Sequence, residues 1–469
     1  MEDSRIISHF DVGALADSLG ARIRHSRDLR FDSVSTDSRQ VVPGDLFFAL
    51  RGERFDAHAF LGEVVARGCR GVVVEVQVDV PEDVVVFEVD SVEAAFGHLA
   101  RAILEKRRAM GSFVTYALTG SNGKTTTKEL LAALLVHKGH RVLKTKGNLN
   151  NAIGLPMTIL QLESTHDVAV LELGANAPGE IAYLTGIAQP DYAIITGIGA
   201  AHLKGFGSID GVARAKGEIL RGERLRGVVL PESTRIYYGD EVKGIHCRWV
   251  GEGAGIHVTD VFSTMTGVDF RYVEKGKLDW QIHLPLLGGH NASNLAHAMA
   301  LVVDESWDQD TVNEAVAGVV LPSGRLERWE TPNHVVFLHD AYNANPSSMK
   351  EALALMAQLV VPDQRCLILG DMGELGNTSD DQHVALGKRV AFLGAKCLLC
   401  VGSSSVFIRE GAVAGGMSPQ SVFCVPREKL DPGLTWLSQQ LTGGDVCLMK
   451  GSRSVALERV LTFFGAHRL

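Results

Sequence analysis

The sequence predicts an α/β protein with three domains: a small N-terminal α/β domain, a central domain built on a parallel sheet, and a C-terminal Rossmann-like α/β domain. Two observations predict this fold. The chain has 469 residues, which corresponds to about three domains at ~150 residues each. Short apolar runs alternate with helical stretches, a pattern typical of parallel sheets covered on both faces. We place the domains at residues 1–88, 89–321 and 322–469.

The composition narrows the class of protein. Hydrophobic residues make up 46% and charged residues 22% of the chain, as in soluble globular proteins, and the net charge of −9 argues against a nucleic-acid-binding protein. The first residues lack the pattern of a signal peptide, and no apolar run reaches the ~20 residues that span a bilayer. Seven scattered cysteines fit a reducing compartment. We therefore expect a cytoplasmic protein without membrane insertion.

Helices and strands of the first two domains follow from the apolar pattern. Segments 44–50 and 68–76 predict strands with a helix between them, and residues 93–108 predict an amphipathic helix with a basic C-terminal end. Strand and helix patterns then alternate from residue 111 to about 200. We interpret the β-rich, polar residues 225–285 as an excursion from the parallel sheet, and residues 291–319 as helical.

The third domain is predicted from the apolar runs VVFLHDAY, RCLILGDM, CLLCVG, VFCV and DVCLMKG, with helices between them. In the third run, Cys397 and Cys400 have the spacing of a thiol redox motif. A redox pair is expected at a helix N-terminus, whereas this pair lies in an apolar run typical of a buried parallel strand. We therefore favour a structural strand.

Residues 116–131, YALTGSNGKTTTKELL, have the composition of a phosphate-binding turn. A strand is predicted to end at Thr119 and a helix to begin near Thr125. Gly120 and Gly123 between them allow successive backbone N–H groups to point at one anion. The sequence therefore predicts that the central domain is a P-loop-type nucleotide-binding domain.

Two further side chains support that prediction. Lys124 adds a positive charge for the terminal phosphates, and the hydroxyl of Thr125 is a ligand for Mg²⁺. The general P-loop spacing would place a glycine where this chain has Leu118, so the turn is a tighter variant. A turn that only capped a helix would not need Lys and Thr in this order. The predicted contacts are Thr119, Gly120, Ser121, Asn122, Gly123, Lys124, Thr125 and Thr126.

Glu172 lies at the end of one predicted strand of the central sheet, and His202 lies in a loop after another. Ligands of parallel sheets collect at the carboxyl ends of the strands, and bound Mg²⁺ needs further ligands. Each residue alone has a structural alternative: Glu172 as a helix-capping acid and His202 as an ordinary loop histidine. Their position beside a phosphate turn favours a functional role for both.

Short motifs spread over nearly the whole chain match one family. They are TGSNGKTT, KGNLNNAIGLP, LELGANAPGEI, AHLKGFGS, ARAKGEIL, GGHNASNLAHAMA, PSGRLERWE, HDAYNANPSSM, LGDMGELG and LMKGSRS. Read in chain order, they resemble the ATP-dependent Mur ligases of bacterial peptidoglycan synthesis. The Asn-x-Asn-Pro sequence with LGDMGELG is similar to the branch that adds the terminal dipeptide. The segment STDSRQVVPGDLFFALRGERFDAHAF is similar to the uridine-nucleotide-binding domain of that branch.

The resemblance implies an ATP-dependent amide ligase. ATP would phosphorylate the carboxylate of UDP-N-acetylmuramoyl-tripeptide, the amine of D-alanyl-D-alanine would attack the acyl phosphate, and the products would be an amide, ADP and phosphate. It also implies two Mg²⁺ ions and closure of the third domain over the second, which would complete the site. We expect a monomer.

The resemblance assigns catalytic roles to Lys124, Glu172, His202, Lys216 and Arg325. Thr125 and Glu172 would be ligands of the first Mg²⁺, and His202 and Lys216 would form the second-metal site. A lysine ammonium has no acceptor for a cation, so the family pattern implies that Lys216 is carbamylated. The alternative is an ordinary surface lysine on a charged helix.

The resemblance also implies nucleotide contacts in the later motifs. His290, Asn291 and Asn294 resemble the adenine-side segment, although the two asparagines could instead cap the following helix. Arg325 is the candidate for the γ-phosphate because its planar guanidinium suits a phosphoryl group. Asp340 resembles the acid that accepts ribose hydroxyls, and Asn345 lies in the same loop.

The implied contacts to the nucleotide-linked peptide lie in two segments. Ser38 and Arg39 resemble residues that contact uracil and diphosphate. Asn148, Asn150 and Asn151 resemble the lining of the muramyl-peptide channel, with turn formation as the alternative.

Two other functions compete with this interpretation. One is an amide ligase of the same superfamily with a different amino-acid substrate, which the Asn-x-Asn-Pro sequence and the N-terminal domain argue against. The other is a P-loop hydrolase or nucleotide-gated switch, which would need no domain for a second substrate.

Overall fold

The computed structural model describes residues 5–25, 27–52, 55–200 and 202–469. Within these ranges the strands form three sheets, and each sheet falls inside one of the three predicted domains. The α/β class and the three-sheet architecture are therefore confirmed, whereas the domain boundaries remain a prediction. Among the described residues, every helix is too short or too polar to cross a membrane.

The N-terminal sheet is mainly parallel and has the order β1-β5-β4-β3-β2. Its elements are α1 (Val12–Leu19), β1 (Arg22–Arg24), β2 (Ser33–Ser35), β3 (Asp45–Phe48), α2 (Leu61–Ala66), β4 (Gly71–Val74) and β5 (Val85–Glu88). The strands predicted in 44–50 and 68–76, and the helix between them, are confirmed as β3, β4 and α2. Strand β1 is antiparallel to β5, and neither strand was predicted.

The central sheet has the order β14-β13-β12-β11-β10-β9-β6-β8-β7. Its strands are β6 (Val114–Thr119), β7 (Val142–Lys144), β8 (Val168–Glu172), β9 (Tyr192–Ile195), β10 (Gly227–Pro231), β11 (His246–Val250), β12 (Ile256–Ser263), β13 (Val268–Glu274) and β14 (Leu278–Leu284). The predicted excursion at 225–285 is wrong, since β10 and β11 continue the sheet in parallel. Strand β12 pairs parallel with β11, and β13 and β14 extend the edge through antiparallel pairings. Their polar residues alternate with buried ones because one face meets solvent.

Helices cover both faces of the central sheet. They are α3 (Val92–Ala109), α4 (Lys124–His137), α5 (Gly154–Ile159), α6 (Glu180–Ala188), α7 (Leu203–Phe206), α8 (Ile209–Gly217), α9 (Arg235–Tyr238), α10 (His290–Val302) and α11 (Gln309–Ala317). Helix α3 also joins the first two domains, because the ring centroid of its Phe96 lies 4.8 Å from that of Phe48 on β3. On its other side, Gly97 leaves no room for a side chain next to Tyr183 and Ile187 of α6.

The C-terminal sheet has the order β19-β18-β17-β20-β16-β15-β21. Its elements are β15 (Glu327–Glu330), β16 (Val336–His339), α12 (Pro346–Leu359), β17 (Arg365–Gly370), α13 (Ser379–Leu393), β18 (Cys397–Val401), α14 (Ser405–Ala414), β19 (Val422–Val425), α15 (Leu430–Gln440), β20 (Val446–Lys450), α16 (Glu458–Phe463) and β21 (His467–Arg468). Cys397 and Cys400 are fully buried in β18 and unpaired. The structural interpretation of the C-L-L-C sequence is confirmed.

A buried ion-pair network ties α4 to the neighbouring strands. Lys128 is fully buried, and its Nζ lies 3.0 Å from Oε1 of Glu129 and 4.0 Å from Oε2 of Glu172. The same ammonium donates to the carbonyl oxygen of Thr145 at 2.5 Å. The half-exposed Lys144 contacts the other oxygen of Glu129. The charges of two buried carboxylates are therefore balanced by two lysines, of which only Lys128 is inaccessible to water.

We expect Lys128→Met to lower the free energy of unfolding by about 3–5 kcal/mol, because it leaves buried carboxylates without their partner. The measurement is urea unfolding followed by circular dichroism. Lys144→Met is the matched control and should cost less than about 1 kcal/mol, since its side chain is 44% exposed. Equal losses in the two variants would contradict this account.

Candidate functional site

The turn between β6 and α4 has the geometry that its sequence predicts. Strand β6 ends at Thr119, and α4 begins at Lys124. Gly120 and Gly123 have φ angles of +146° and +81°. A Cβ atom at Gly120 would lie 2.2 Å from Oγ1 of Thr196, and one at Gly123 would lie 2.3 Å from Oδ1 of Asn294. Both positions therefore require glycine, for backbone conformation and for close packing.

Side chains of the turn are held on several sides. Lys124 Nζ donates to the carbonyl oxygen of Gly120 at 2.7 Å and thus folds back over the turn. Loss of solvation lowers the pKa of Lys124, and Glu172 nearby opposes that shift. The hydroxyl of Ser121 donates to the carbonyl oxygen of Gly199 at 3.1 Å. These contacts hold the turn in place at the carboxyl ends of the strands.

Glu172 lies at the end of β8 and is buried. Its Oε2 accepts from the hydroxyl of Thr125 at 2.8 Å, and its Oε1 accepts from the amide of Asn150 at 2.9 Å. Gly174 leaves the space that the Asn150 side chain occupies. A carboxylate and a hydroxyl oxygen thus meet beside the phosphate turn, and oxygen donors of this kind are those that Mg²⁺ prefers. The residues fit a magnesium ion that also binds phosphate oxygens.

His202 and Lys216 both lie near the aromatic ring of Phe206. The ring centroids of His202 and Phe206 are 6.4 Å apart, and Lys216 Nζ lies 5.4 Å from the Phe206 centroid. Lys216 is 2% exposed on α8. Burial lowers the pKa of Lys216 to about 7, and the positive charge of Lys124 is the second cause of this shift. The alternative of an ordinary surface lysine is therefore wrong.

The pair formed by His202 and Lys216 lacks the donors of a complete metal site. In the part of the chain that the structure describes, no group of three or more His, Cys, Asp or Glu residues could hold a metal ion. A lysine ammonium has no lone pair for a cation. His202 and Lys216 therefore fit a cation only if the amine of Lys216 is converted to an acceptor.

Arg325 reaches the phosphate turn from the C-terminal domain. Its Nη2 donates to Oγ1 of Thr125 at 2.9 Å, and its guanidinium carbon lies 4.2 Å from the ring centroid of Tyr342. Its Nε is buried and has no hydrogen-bond partner among the described residues. The guanidinium thus reaches the turn through Nη2, and its planar set of donors suits an anion.

A buried carboxylate fixes the loop that carries Arg325. Glu327 accepts from the backbone N–H of Gly324 and the hydroxyl of Ser323, both at 2.9 Å, and its Oε2 lies 3.0 Å from Nδ1 of His339. Although burial opposes ionisation, the hydrogen bonds from His339, Gly324 and Ser323 lower the pKa of Glu327 to about 2. Gly324 has a φ of +82°. The loop therefore enters the cleft as a rigid unit.

Asn345 connects the two domains directly. It is the N-cap of α12, in a capping box with Ser348, and its amide donates to Oδ1 of Asn122 in the phosphate turn at 2.9 Å. In the same loop, Asp340 Oδ2 lies 2.6 Å from the buried ammonium of Lys450. Since the C-terminal domain contacts the turn through Arg325 and Asn345, the described arrangement is closed.

Helix α10 brings His290, Asn291 and Asn294 to the same region. The helix begins at His290, and its N-cap is Gly289, without a side-chain hydrogen bond. The alternative in which the two asparagines cap the helix is therefore wrong. Asn294 instead donates to Oδ1 of Asn291 at 2.8 Å, and Asn291 donates to the carbonyl oxygen of Leu287 at 2.7 Å. Both side chains are buried, and Asn294 packs against Gly123 of the turn.

A cleft of about 660 Å³ lies between the central and C-terminal domains. The predicted residues that line it are Ser121, Asn122, Gly123, Lys124, Thr125, Thr126, Asn148, Asn150, Asn151, Glu172, His202, His290, Asn291, Asn294, Arg325, Asp340 and Asn345. Thr119, Gly120 and Lys216 are absent from its surface because they lie beneath it. The predicted ATP and magnesium residues are thus brought together.

The residues predicted for the nucleotide-sugar are more dispersed. Ser38 and Arg39 lie in a turn after β2, away from the cleft lining, where Arg39 forms an exposed ion pair with Asp37 at 2.8 Å. Asn151 accepts from the backbone N–H of Gly154 at 2.8 Å, which is the turn chemistry considered as its alternative. Asn148 is exposed at the cleft and is free to contact a ligand.

Sequence reasoning missed several residues around the cleft. Lys128 lies four positions after Lys124 and therefore on the same helix face, a signal that could have been used. Lys450 is the lysine of the LMKGSRS motif, and Tyr342 follows Asp340 by two positions. No local pattern predicts that Lys450 pairs with Asp340, because the contact depends on the parallel pairing of β16 with β20.

Comparisons with known proteins agree with this geometry. Residues 118–302 match the family model of the Mur ligase middle domain, and residues 324–453 match that of the Mur ligase, glutamate ligase domain. The UDP-N-acetylmuramoyl-tripeptide--D-alanyl-D-alanine ligase of Escherichia coli K12 is 36% identical over 459 residues, covering 96% of this chain and 97% of the relative.

Solved structures give the same result. A crystal structure of MurF from Acinetobacter baumannii has a TM-score of 0.87 and 32% identity and covers 96% of this chain and 97% of that one. MurF ligase from Thermotoga maritima in complex with ADP has a TM-score of 0.80 and 27% identity, with 92% and 96% coverage. The chain therefore belongs to the Mur ligase family and groups with its UDP-N-acetylmuramoyl-tripeptide--D-alanyl-D-alanine ligases.

Proposed function

We propose that this chain joins D-alanyl-D-alanine to UDP-N-acetylmuramoyl-tripeptide at the expense of ATP, which forms an amide, ADP and phosphate. The observation that carries the proposal is the closed cleft, in which Arg325 and Asn345 of one domain contact Thr125 and Asn122 of the phosphate turn. The names of the relatives supply the two substrates. Such a ligase completes the cytoplasmic precursor of peptidoglycan, and we propose a monomer.

The chemistry explains why each side of the cleft supplies a cationic side chain, Lys124 from the central domain and Arg325 from the C-terminal domain. A carboxylate is a poor acyl donor because its leaving group would be oxide, and phosphorylation supplies a better one. The protein must hold the anionic carboxylate and the phosphoryl donor together, which requires fixed dipoles and cations. Lys124 and the turn amides would bind the phosphates from the central domain. Arg325 would bind the transferred phosphoryl group from the C-terminal domain.

Thr125 and Glu172 would hold the first magnesium ion. Bound there with the nucleotide, Mg²⁺ would neutralise phosphate charge as the phosphoryl group is transferred. Asn150 keeps the carboxylate of Glu172 directed at Thr125, since it occupies the other carboxylate oxygen. Asn150 therefore contributes to orientation, whereas Asn148 is the better candidate for a contact to the muramyl peptide.

Lys216 would hold the second ion as a carbamate, with His202 beside it. Burial of the amine favours its neutral form, and the neutral amine is the form that adds CO₂. The carbamate would provide the oxygen ligands that the His202 region lacks. Its negative charge would also be balanced by the ion that it binds.

The remaining contacts follow from position and residue type. His290, Asn291 and Asn294 would lie on the adenine side, and Asp340 would accept from the ribose hydroxyls while Lys450 holds its carboxylate. Ser38 and Arg39 would bind the uridine diphosphate end of the second substrate. Their distance from the cleft fits a long substrate that spans the first two domains.

The proposal predicts that phosphate release requires every substrate. With ATP, Mg²⁺, UDP-N-acetylmuramoyl-tripeptide and D-alanyl-D-alanine present, we expect phosphate and pentapeptide product in equal amounts, and loss of turnover when any one is omitted. The measurement is coupled phosphate detection with mass spectrometry of the product. Turnover that is lost only when ATP is withheld would identify a hydrolase and exclude the ligase.

The carbamate predicts a specific behaviour of Lys216→Ala. We expect kcat to fall about 10²–10³-fold, as for loss of a charged group at a phosphoryl-transfer site, and to recover in part with a short carboxylic acid. With 13C-bicarbonate, the wild-type protein should give a carbamate signal that the Lys216→Ala variant lacks. Lys204→Ala, at an exposed position on α7, is the control. Normal turnover of Lys216→Ala in bicarbonate-free buffer would refute the assignment.

A further inference from the structure

A carboxylate of the C-terminal domain contacts His202 from outside the central domain. Glu374 lies in the loop between β17 and α13, and its Oε2 is in ion-pair contact with Nδ1 of His202. Nδ1 is buried and has no hydrogen bond to any other group in the described part of the chain. Glu374 is therefore the group that this ring nitrogen faces.

Both residues have backbone conformations that non-glycine residues rarely adopt. The φ angle is +52° at His202 and +62° at Glu374. Such conformations persist only where the surrounding structure imposes them, and they cluster at functional sites. Each residue is placed by its own domain, and the two side chains meet at the boundary between the domains.

The loop that carries Glu374 is fixed to the body of its domain. Asp371 accepts from the backbone N–H groups of Ser403 and Ser404, both at 2.9 Å. The backbone N–H of Met372 donates to Nε2 of the fully buried His383 at 2.9 Å. Glu374 is 53% exposed, so these anchors, and not burial of its own side chain, direct it toward His202.

The contact decides which ring nitrogen of His202 is available. An imidazole that directs its Nδ1–H at a carboxylate presents the lone pair of Nε2 to a cation, and carboxylate–histidine pairs orient metal ligands in this way. Lys216, whose Nζ lies 5.4 Å from the Phe206 centroid, would provide the other ligand as a carbamate. Because Glu374 belongs to the other domain, it can reach His202 only when the domains are together.

We propose that Glu374 is a positioning residue: it fixes the tautomer and orientation of His202 and makes them depend on closure of the C-terminal domain. The proposal rests on the ligand role of His202 in the proposed function. His202 is then held in its ligand orientation only when the C-terminal domain brings Glu374 against it.

The direct test is the tautomer of His202, which needs no turnover. Protein with 13C-labelled histidine is examined by NMR with a non-hydrolysable ATP analogue, and the His202 signals are identified by their loss in His202→Gln. We expect the Nδ1–H form of His202 in the wild-type protein and a shift toward the Nε2–H form in the Glu374→Ala variant. Glu410→Gln, an exposed position of α14 in the same domain, should leave the tautomer unchanged.

A second readout follows the metal. In Glu374→Ala the Mg²⁺ concentration for half-maximal activity should rise about 10–100-fold, while the KM for ATP stays within a few-fold. Glu374→Gln should recover part of the loss, because its amide oxygen still accepts from Nδ1–H. If His202 has the same tautomer in Glu374→Ala as in the wild-type protein, the proposal is overturned. This outcome does not depend on whether the ligase activity is found.

Discussion

The position of the Glu172 carboxylate depends on two other parts of the chain, helix α4 and the asparagine loop, and the rest of the cleft is arranged around it. Thr125 of α4 and Asn150 of the loop after β7 each bind one of its oxygens, and the buried Lys128 balances its charge. An ionised carboxylate is stable in such a buried position only when its charge and its acceptor capacity are satisfied. The phosphate turn, the asparagine loop and the sheet edge are therefore held in one geometry.

Much of the fold could be predicted from the sequence because its strands are apolar runs buried on both faces. Strands β6, β8 and β18 are examples of such apolar runs. The prediction failed at residues 225–285, where antiparallel strands alternate buried and exposed residues as an isolated hairpin would. Pairing of β10 with β9 depends on contacts 35 residues apart in the chain, from Tyr192 to Gly227, which local patterns do not encode.

The candidate site was predictable where its residues share one local motif. Gly120, Gly123 and Thr125 lie in a single turn whose chemistry depends on neighbours in the chain. The contacts of Glu374 with His202 and of Arg325 with Thr125 join residues more than 170 positions apart, and they exist only because two domains meet. Arg325 and Glu374 both lie in family motifs, PSGRLERWE and LGDMGELG, but nothing local in the second motif indicates that Glu374 contacts His202.

The capping role of Asn345 has an electrostatic consequence for the whole cleft. It places the N-terminus of α12 at Asn122, beside the N-terminus of α4 that follows the phosphate turn. Each helix N-terminus carries about half a positive charge, so each of the two domains contributes a partial positive charge near Asn122. They repel weakly when nothing lies between them, and an anion between them is attracted to both. A bound polyphosphate would thus stabilise the contact between the two domains.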